Sequence, residues 1–316
     1  LIRKEKPDRV IGVFRFTAKA SAQIAGIPYD SLICGCMTPD FNQVLGYREN
    51  EIGYQRQGEF LNNFYCYVAG KMNRVFRAMR VSPIDDMRDL FKGERTFLWD
   101  FPEFLPLPSK SDTKYLGPFF WKKWPYYLPD IYKIINDNIP FAIVSFGTGD
   151  VSSKIIQKII KILLKMGYSV LLAAGGHAEL LKTIPDKPRL YKYLFAPIHH
   201  ILPYASLIIT HGGQMTIFES LLHKVPVVVM PLQPEQLHNG LCLERTGCGC
   251  RLVIPEPFRG NKNVYSKALY DTSDTDIEAK IKKLTNNPQT SICLKKMSEK
   301  IKKYNCTENL TKMTEE

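Results

Sequence analysis

The chain has no apolar run approaching the roughly 18 residues that a membrane span needs, so no spanning helix is expected. No basic-then-apolar leader opens it, so no signal peptide is expected. No CxxC pair occurs. The eight cysteines are scattered, apart from two CxC pairs, Cys34 with Cys36 and Cys248 with Cys250. Neither pair has zinc-ligand spacing or a His/Cys cluster to complete it, so no metal site is expected and reduced thiols in a cytoplasmic protein are. No repeat at short period is present. Acid is in short supply: 31 acidic residues against 43 basic ones leave a formal charge of +12 over 316 residues. Such a balance suits nucleic acid, an anionic membrane surface or phosphorylated ligands. No basic motif interleaved with aromatics supports the first of these. Much of the charge lies in two stretches, KIIQKIIKILLKM from Lys154 and LKKMSEKIKK from Leu294, which read as solvated helix faces. The chain starts with Leu1 and enters an apolar strand pattern almost at once, so an amino-terminal segment is expected to precede it.

What is present is alternation. Leu207–Thr210 is a β-branched apolar run that stops at His211, Gly212 and Gly213. The spacing of Ile217, Phe218, Leu221 and Leu222 predicts a helix over 214–223. Residues 227–230, after Pro226, form a second apolar run, closed by Pro231 and the polar loop 233–236. Strand, Gly-Gly turn, helix and strand make a βαβ unit. Its turn lies at the carboxyl end of a strand and the amino end of a helix, where open α/β sheets bind anions.

Further strands are expected at 10–14, 30–34, 95–100, 141–146, 169–174 and 193–196. Helices are expected at 17–25, 59–79, 153–166 (capped by Asp150 or Ser152), 235–246, 274–285 and 288–304, with 51–57 a loop. Within 59–79, Phe60, Phe64, Tyr67, Val68, Met72, Val75, Phe76 and Met79 recur at helical spacing, which predicts a core-facing stripe. WKKWPYYLP, after YLGPFF, reads as an interdomain linker. Strands and helices alternate throughout, so the expected fold class is α/β with doubly wound parallel sheets. The expected division is residues 1–122, a first domain incomplete at its amino end; residues 123–287, a second Rossmann-like domain; and residues 288–316, a basic carboxyl-terminal helix packing back on the first.

Two loops of the second domain carry glycine after a strand, Gly147-Thr148-Gly149 and Gly212-Gly213. His211 stands at the second turn, Thr216 in the first helical turn and Glu219 one turn on, on the same face. That sets an imidazole, a hydroxyl and backbone N–H groups around a phosphate, with a carboxylate beyond for sugar hydroxyls. Glu235 and Gln236, after the next strand, suit polyol recognition.

HGG, then TxxE, VP, PxxxEQ and Asn239 together resemble the donor-sugar signature of glycosyltransferases of the GT-B fold. The subgroup resembled is family 1, which contains the macrolide and UDP-glycosyltransferases. FAPIHHILPYASLIITHGG, SFGTG, YLGPFF, TFLWDFPEF and RFTAKASAQIAGIP extend the resemblance over most of the chain. It implies two Rossmann-like domains, the first truncated at its amino end. Carried over by position, it implies that Phe195 and Ile198 face the nucleotide base or ribose, where the family has Trp and Gln. Glu219 falls on the ribose, Thr148, His211, Gly212, Gly213 and Thr216 on the diphosphate, and Glu235 and Gln236 on the transferred sugar. Met215 stands where plant members have Asn.

The implied reaction is inverting hexose transfer from a UDP- or dTDP-sugar to a hydroxyl of a small hydrophobic or lipid-like acceptor. The nucleotide sugar is a co-substrate, and no metal or other cofactor is required. The family's base is a His of the first domain, expected before Leu1, so no catalytic residue is named. The implied setting is cytoplasmic, with peripheral contact at the inner membrane face. The alternatives are a lipid-linked cell-wall type sugar transferase at the membrane surface, or a degenerate, non-catalytic sugar-nucleotide-binding partner protein.

Overall fold

The computed structural model describes residues 2–120, 139–147, 149, 151–257 and 263–315. The expected linker WKKWPYYLP, Asp150 and Thr148 lie outside them. The chain divides into two compact units. One comprises Leu1–Val44, Tyr54–Phe119 and Tyr304–Glu316; the other comprises Leu45–Gly53 and Phe120–Lys303.

The first unit holds a four-stranded parallel sheet in the order β1-β2-β3-β4. Its elements are α1 (Ile2–Glu5), β1 (Val10–Val13), α2 (Ala18–Ala25), β2 (Tyr29–Ile33), α3 (Tyr54–Met79), β3 (Thr96–Leu98) and β4 (Lys114–Tyr115). Helix α2 stops where Gly26 takes a left-handed φ of 68° and caps it through its backbone N–H. Strand β1 is an edge strand with an alternating burial pattern, whereas β3 is buried throughout.

Helix α3 corrects the sequence reading twice. It begins at Tyr54, inside the stretch expected to be loop. Its buried stripe is Gln57, Leu61, Tyr65, Ala69 and Phe76, while Phe64, Tyr67, Val75 and Met79 are exposed. The buried stripe starts with residues four apart, and it shares only Phe76 with the expected one. The aromatic stripe remains amphipathic surface.

The second unit holds a six-stranded parallel sheet in the order β10-β9-β8-β5-β6-β7. Its strands are β5 (Phe141–Ser145), β6 (Ser169–Ala173), β7 (Leu190–Tyr193), β8 (Leu207–Thr210), β9 (Val227–Val229) and β10 (Gly249–Arg251). Between and after them lie α4 (Ser153–Lys165), α5 (Ala178–Thr183), α6 (Ile198–Ile201), α7 (Gln214–Leu222), α8 (Pro234–Thr246), α9 (Asn263–Asp271), α10 (Asp274–Thr285) and α11 (Pro288–Ile301). Strand β7 falls before the expected 193–196. Helix α4 starts after Ser152, whose side chain makes no capping bond. Ile155, Ile156, Ile159, Ile160, Ile162 and Leu163 of α4 join the core, and Lys161 and Lys165 stay in solvent. Helix α11 packs on α7, and Ser298 Oγ donates to Leu222 O at 2.7 Å. The last helix, α12 (Cys306–Glu315), belongs to the first unit. There Cys306 packs with Phe97 and Leu116, and Asn309 donates to Leu116 O at 2.9 Å.

The segment Leu45–Gly53 belongs to the second unit through one ion network. Arg251, fully buried, donates to Glu51 Oε1 at 2.6 Å, Glu51 Oε2 at 3.0 Å, Glu244 Oε2 at 2.8 Å and Gly46 O at 2.6 Å. Arg48 adds a bond to Glu244 at 2.7 Å, and Tyr47 Oη donates to Pro255 O at 2.8 Å. A buried guanidinium is tolerable only with such pairing, which here engages both terminal nitrogens and leaves Nε without a partner.

Candidate donor-binding site

The order of the second sheet creates a switch point. From β5 the chain winds outward through β6 and β7, then returns to β8 on the other side of β5. Ser145 and Thr210 are register partners at the carboxyl ends of these neighbours. The loops that leave them diverge, and such a crevice is where open α/β sheets take ligands. Every described residue expected at the site follows a strand of this sheet. Phe195 and Ile198 follow β7, His211 to Glu219 follow β8, and Glu235 and Gln236 follow β9.

Close approaches join several of them into one strip, from Phe195 through Gly176, Gly175, Gly147 and His211 to Gly212 and Gln236. A Cβ added to Gly213 would lie 2.6 Å from His211 Nε2, and one on Gly147 would lie 3.2 Å from Cε1, so the imidazole sits between the two glycine loops. Burial lowers the pKa of His211, and a hydrogen bond with the Ser145 backbone opposes that shift. Gly212 has φ +97°, and a side chain there would meet Val229 Cγ1 at 2.7 Å and Gln236 O at 2.9 Å. The turn thus packs directly on α8. Helix α7 opens at Gly213 without a side-chain cap, which leaves its amino end to backbone groups. Thr216 and Glu219 follow on one face, both partly buried. Burial raises the Glu219 carboxyl to about 7.

Gln236 is buried, and its Oε1 accepts from Leu232 N at 2.9 Å, so its NH2 is the end that can serve a ligand. Glu235 is partly buried; its pKa is raised by burial, against hydrogen bonds from Asn239 and Gln233. At the other end of the strip, Phe195 is half exposed, at 52%, and its ring edge would lie 3.3 Å from a Cβ on Gly176. Ile198 opens α6 and is partly buried.

Two contributors had no role in the sequence-derived site, although Asn239 stood in the signature that pointed to it. Gly175, at φ +61°, packs so closely that an added Cβ would lie 1.6 Å from Gly147 O. It joins the loop after β6 to the loop after β5. The signal was a Gly-Gly pair after a strand, as at the chosen loops. Asn239, buried, bonds both Gly212 O and Glu235 Oε1. Of the six histidines, none lies in the first unit. His238 is fully buried, and burial with the Arg245 and Arg251 charges lowers it to about 3. Among the described residues no three His, Cys, Asp or Glu side chains form a metal-binding group, and no helix is long and apolar enough to cross a membrane.

Solved structures share this fold. The glycotransferase of kitacinnamycin superposes with a TM-score of 0.71 at 17% identity, over 95% of this chain and 73% of its own. The glycosyltransferase VinC, in complex with dTDP, gives 0.64 at 16%, over 99% and 73%. The chain has the GT-B fold. Within that fold, a profile of the glycosyltransferase family 28 C-terminal domain matches residues 150–256, the part of the second unit that carries the strip. Sequence relatives agree with this assignment. A PGL/p-HBAD biosynthesis glycosyltransferase of Mycobacterium tuberculosis is 26% identical over 271 residues, 80% of this chain and 60% of the relative. The human 2-hydroxyacylsphingosine 1-beta-galactosyltransferase is 25% identical over 273 residues, 83% of this chain and 47% of the relative. The GT-B chain therefore spans about half to three fifths of the length of these relatives.

Proposed function

We propose that the protein is a glycosyltransferase that moves a hexose, with inversion, from a nucleoside diphosphate sugar to a hydroxyl of a small hydrophobic or lipid-like acceptor. The observation that carries the reading is the strip from Phe195 through Gly147 and His211 to Glu235. It orders an aromatic face, a cluster of backbone N–H groups with an imidazole, and a carboxylate with an amide. A nucleotide sugar presents base, diphosphate and polyol in that order. Phe195 stacks the base, Ile198 flanks it, and Glu219 accepts from ribose hydroxyls. His211, Thr216 and the Gly212-Gly213 turn hold the diphosphate at the amino end of α7, with Thr148 assigned to the same role. Glu235 and Gln236 bind the sugar.

The leaving diphosphate carries its charge into a site of oriented N–H dipoles, which stabilise it without a metal ion. Inversion needs a base to take the acceptor proton. None of the six histidines is assigned that role. The lipid-like acceptor draws support from the acylsphingosine in the name of the human relative. A cytoplasmic setting with peripheral membrane contact belongs to the same proposal. A lipid-linked sugar transferase at a membrane surface is favoured by the family 28 match and the +12 charge.

Calorimetry with UDP, dTDP and their glucose conjugates tests donor binding. The expected outcome is binding of at least one conjugate, weakened about tenfold by Phe195→Ala with little change in stability, since base–aromatic stacking is worth roughly 1–3 kcal/mol. A protein that binds no nucleoside diphosphate overturns the reading. One that binds donor but transfers no sugar as the full-length gene product is instead a partner protein.

A further inference from the structure

We propose that Asn239 is a positioning residue that locks the Glu235 carboxylate and the Gly212-Gly213 turn into one unit. The proposal rests on the donor-site reading above and adds how its diphosphate and sugar ends are held together.

The geometry is specific. Asn239 lies on α8, one turn after Glu235, and is 2% exposed. Its Nδ2 donates to Gly212 O at 3.0 Å and to Glu235 Oε1 at 2.8 Å. An amide NH2 has two hydrogens, so both are spent on these acceptors. Two consequences follow. First, the Gly212–Gly213 peptide is planar and trans, so holding its C=O toward α8 turns the Gly213 N–H the opposite way. Asn239 thus aims a backbone donor of the diphosphate turn that it never touches. Second, the bond that Asn239 donates favours the ionised form of Glu235. Burial raises its pKa, and the bonds from Asn239 and Gln233 oppose that rise. A carboxylate is acceptor-only and keeps free lone pairs on both oxygens for sugar hydroxyls beside the bonds from Asn239 and Gln233, whereas protonation turns one oxygen into a donor.

Asn239 acts through its neighbours, which separates it from the contact residues. Its loss should damage sugar binding more than nucleoside diphosphate binding, and in a way that depends on pH. Asn239→Asp keeps the shape but sets a carboxylate against a carbonyl and a carboxylate. Repulsion opens the pair at pH 8. At lower pH one shared proton restores a donor between them.

The experiment uses the full chain and two readouts. The first needs no ligand: the 13C carboxyl signal of Glu235, assigned with Glu235→Gln, is titrated in wild type and in Asn239→Leu. The expected result is an upward shift of about one unit or more in the variant. The second is calorimetry of UDP against UDP-glucose, and of dTDP against dTDP-glucose, at pH 8 and pH 6, for wild type and Asn239→Asp. At pH 8 the sugar's contribution to affinity should fall about tenfold in the variant, the size of one hydrogen bond to a charged group. It should return largely at pH 6. An unmoved Glu235 titration in Asn239→Leu overturns the proposal. So does an equal loss for UDP and UDP-glucose at both pH values in Asn239→Asp, which marks a merely structural residue. Wild type that binds none of the four nucleotides overturns the donor-site reading instead, and the Glu235 titration then still decides the coupling.

Discussion

The two sheets of this protein are both parallel and end very differently. In the second unit β5, β6, β8 and β9 are buried at every residue, and the chain returns across β5 to make a switch point. In the first unit β1 lies at the sheet edge, with Ile11 39% and Val13 55% exposed. Beyond it, Phe14, at φ 46°, stacks on Phe91 with Phe16 alongside, and Phe14 and Phe16 are both about two fifths exposed. A sheet covered on both faces holds its loops to a single geometry, and loops so held can form a recognition strip. An edge strand with apolar residues in solvent is a surface that still has pairing capacity. The inner strands of the second sheet deliver their loops to the candidate site from a fully buried frame, whereas β1 leaves apolar side chains exposed at the edge of the first.

The contrast can be broken most strongly at Arg251. If the second unit depends on its Leu45–Gly53 segment, Arg251→Met should destabilise it by about 3–5 kcal/mol, because four charge-assisted bonds to Glu51, Glu244 and Gly46 are lost and Arg48 alone remains for the two half-buried carboxylates. Denaturant unfolding followed by tryptophan fluorescence checks this, and a loss below about 1 kcal/mol would mean the segment is only laid on the surface. Next in size is Gly175→Ala. A methyl 1.6 Å from Gly147 O at a left-handed φ must push two site loops apart. The expected cost is about 2–4 kcal/mol, with nucleotide affinity lost beyond it.

Glu219→Gln should move stability the other way. The folded carboxyl titrates at about 7, above its ordinary value of 4.5, so the native state binds the proton more tightly than the unfolded chain. Its charge therefore weakens the fold above pH 7, and that penalty fades as pH falls toward the unfolded value. After allowance for its partial exposure, the substitution should stabilise by roughly 1–2 kcal/mol at pH 8 and by almost nothing below pH 4.5, while donor affinity falls. Melting temperatures across that range give the sign. The smallest effect is expected in the first unit: Val13→Lys at the β1 edge should change stability by less than about 0.5 kcal/mol. A loss above 2 kcal/mol would show that this edge is paired in solution and would erase the contrast.

Much of the donor half was legible because local and global signals agree there. The run Leu207–Thr210 is apolar without alternation, as a strand buried on both faces must be, and the Gly-Gly turn after it has a backbone reason. Strand β7, by contrast, was misplaced to 193–196 because its residues are only partly buried and LYKY shows no such run. Helix α3 was misread for a different reason. Periodicity establishes that a helix has two faces; the size of the apolar residues does not say which face meets the core.

The sequence by itself determined the alternation of strand and helix, and with it the parallel α/β class. It also marked the Gly147, Gly175 and His211-Gly212 turns after β5, β6 and β8, since these follow from short-range patterns of apolarity and turn chemistry. Only the tertiary structure decided that β5 and β8 are neighbours, that Gly175 abuts Gly147, and that Asn239 ties Glu235 to Gly212. Those relations depend on the order in which strands lie side by side, and residues tens of positions apart carry no local mark of which of them will meet.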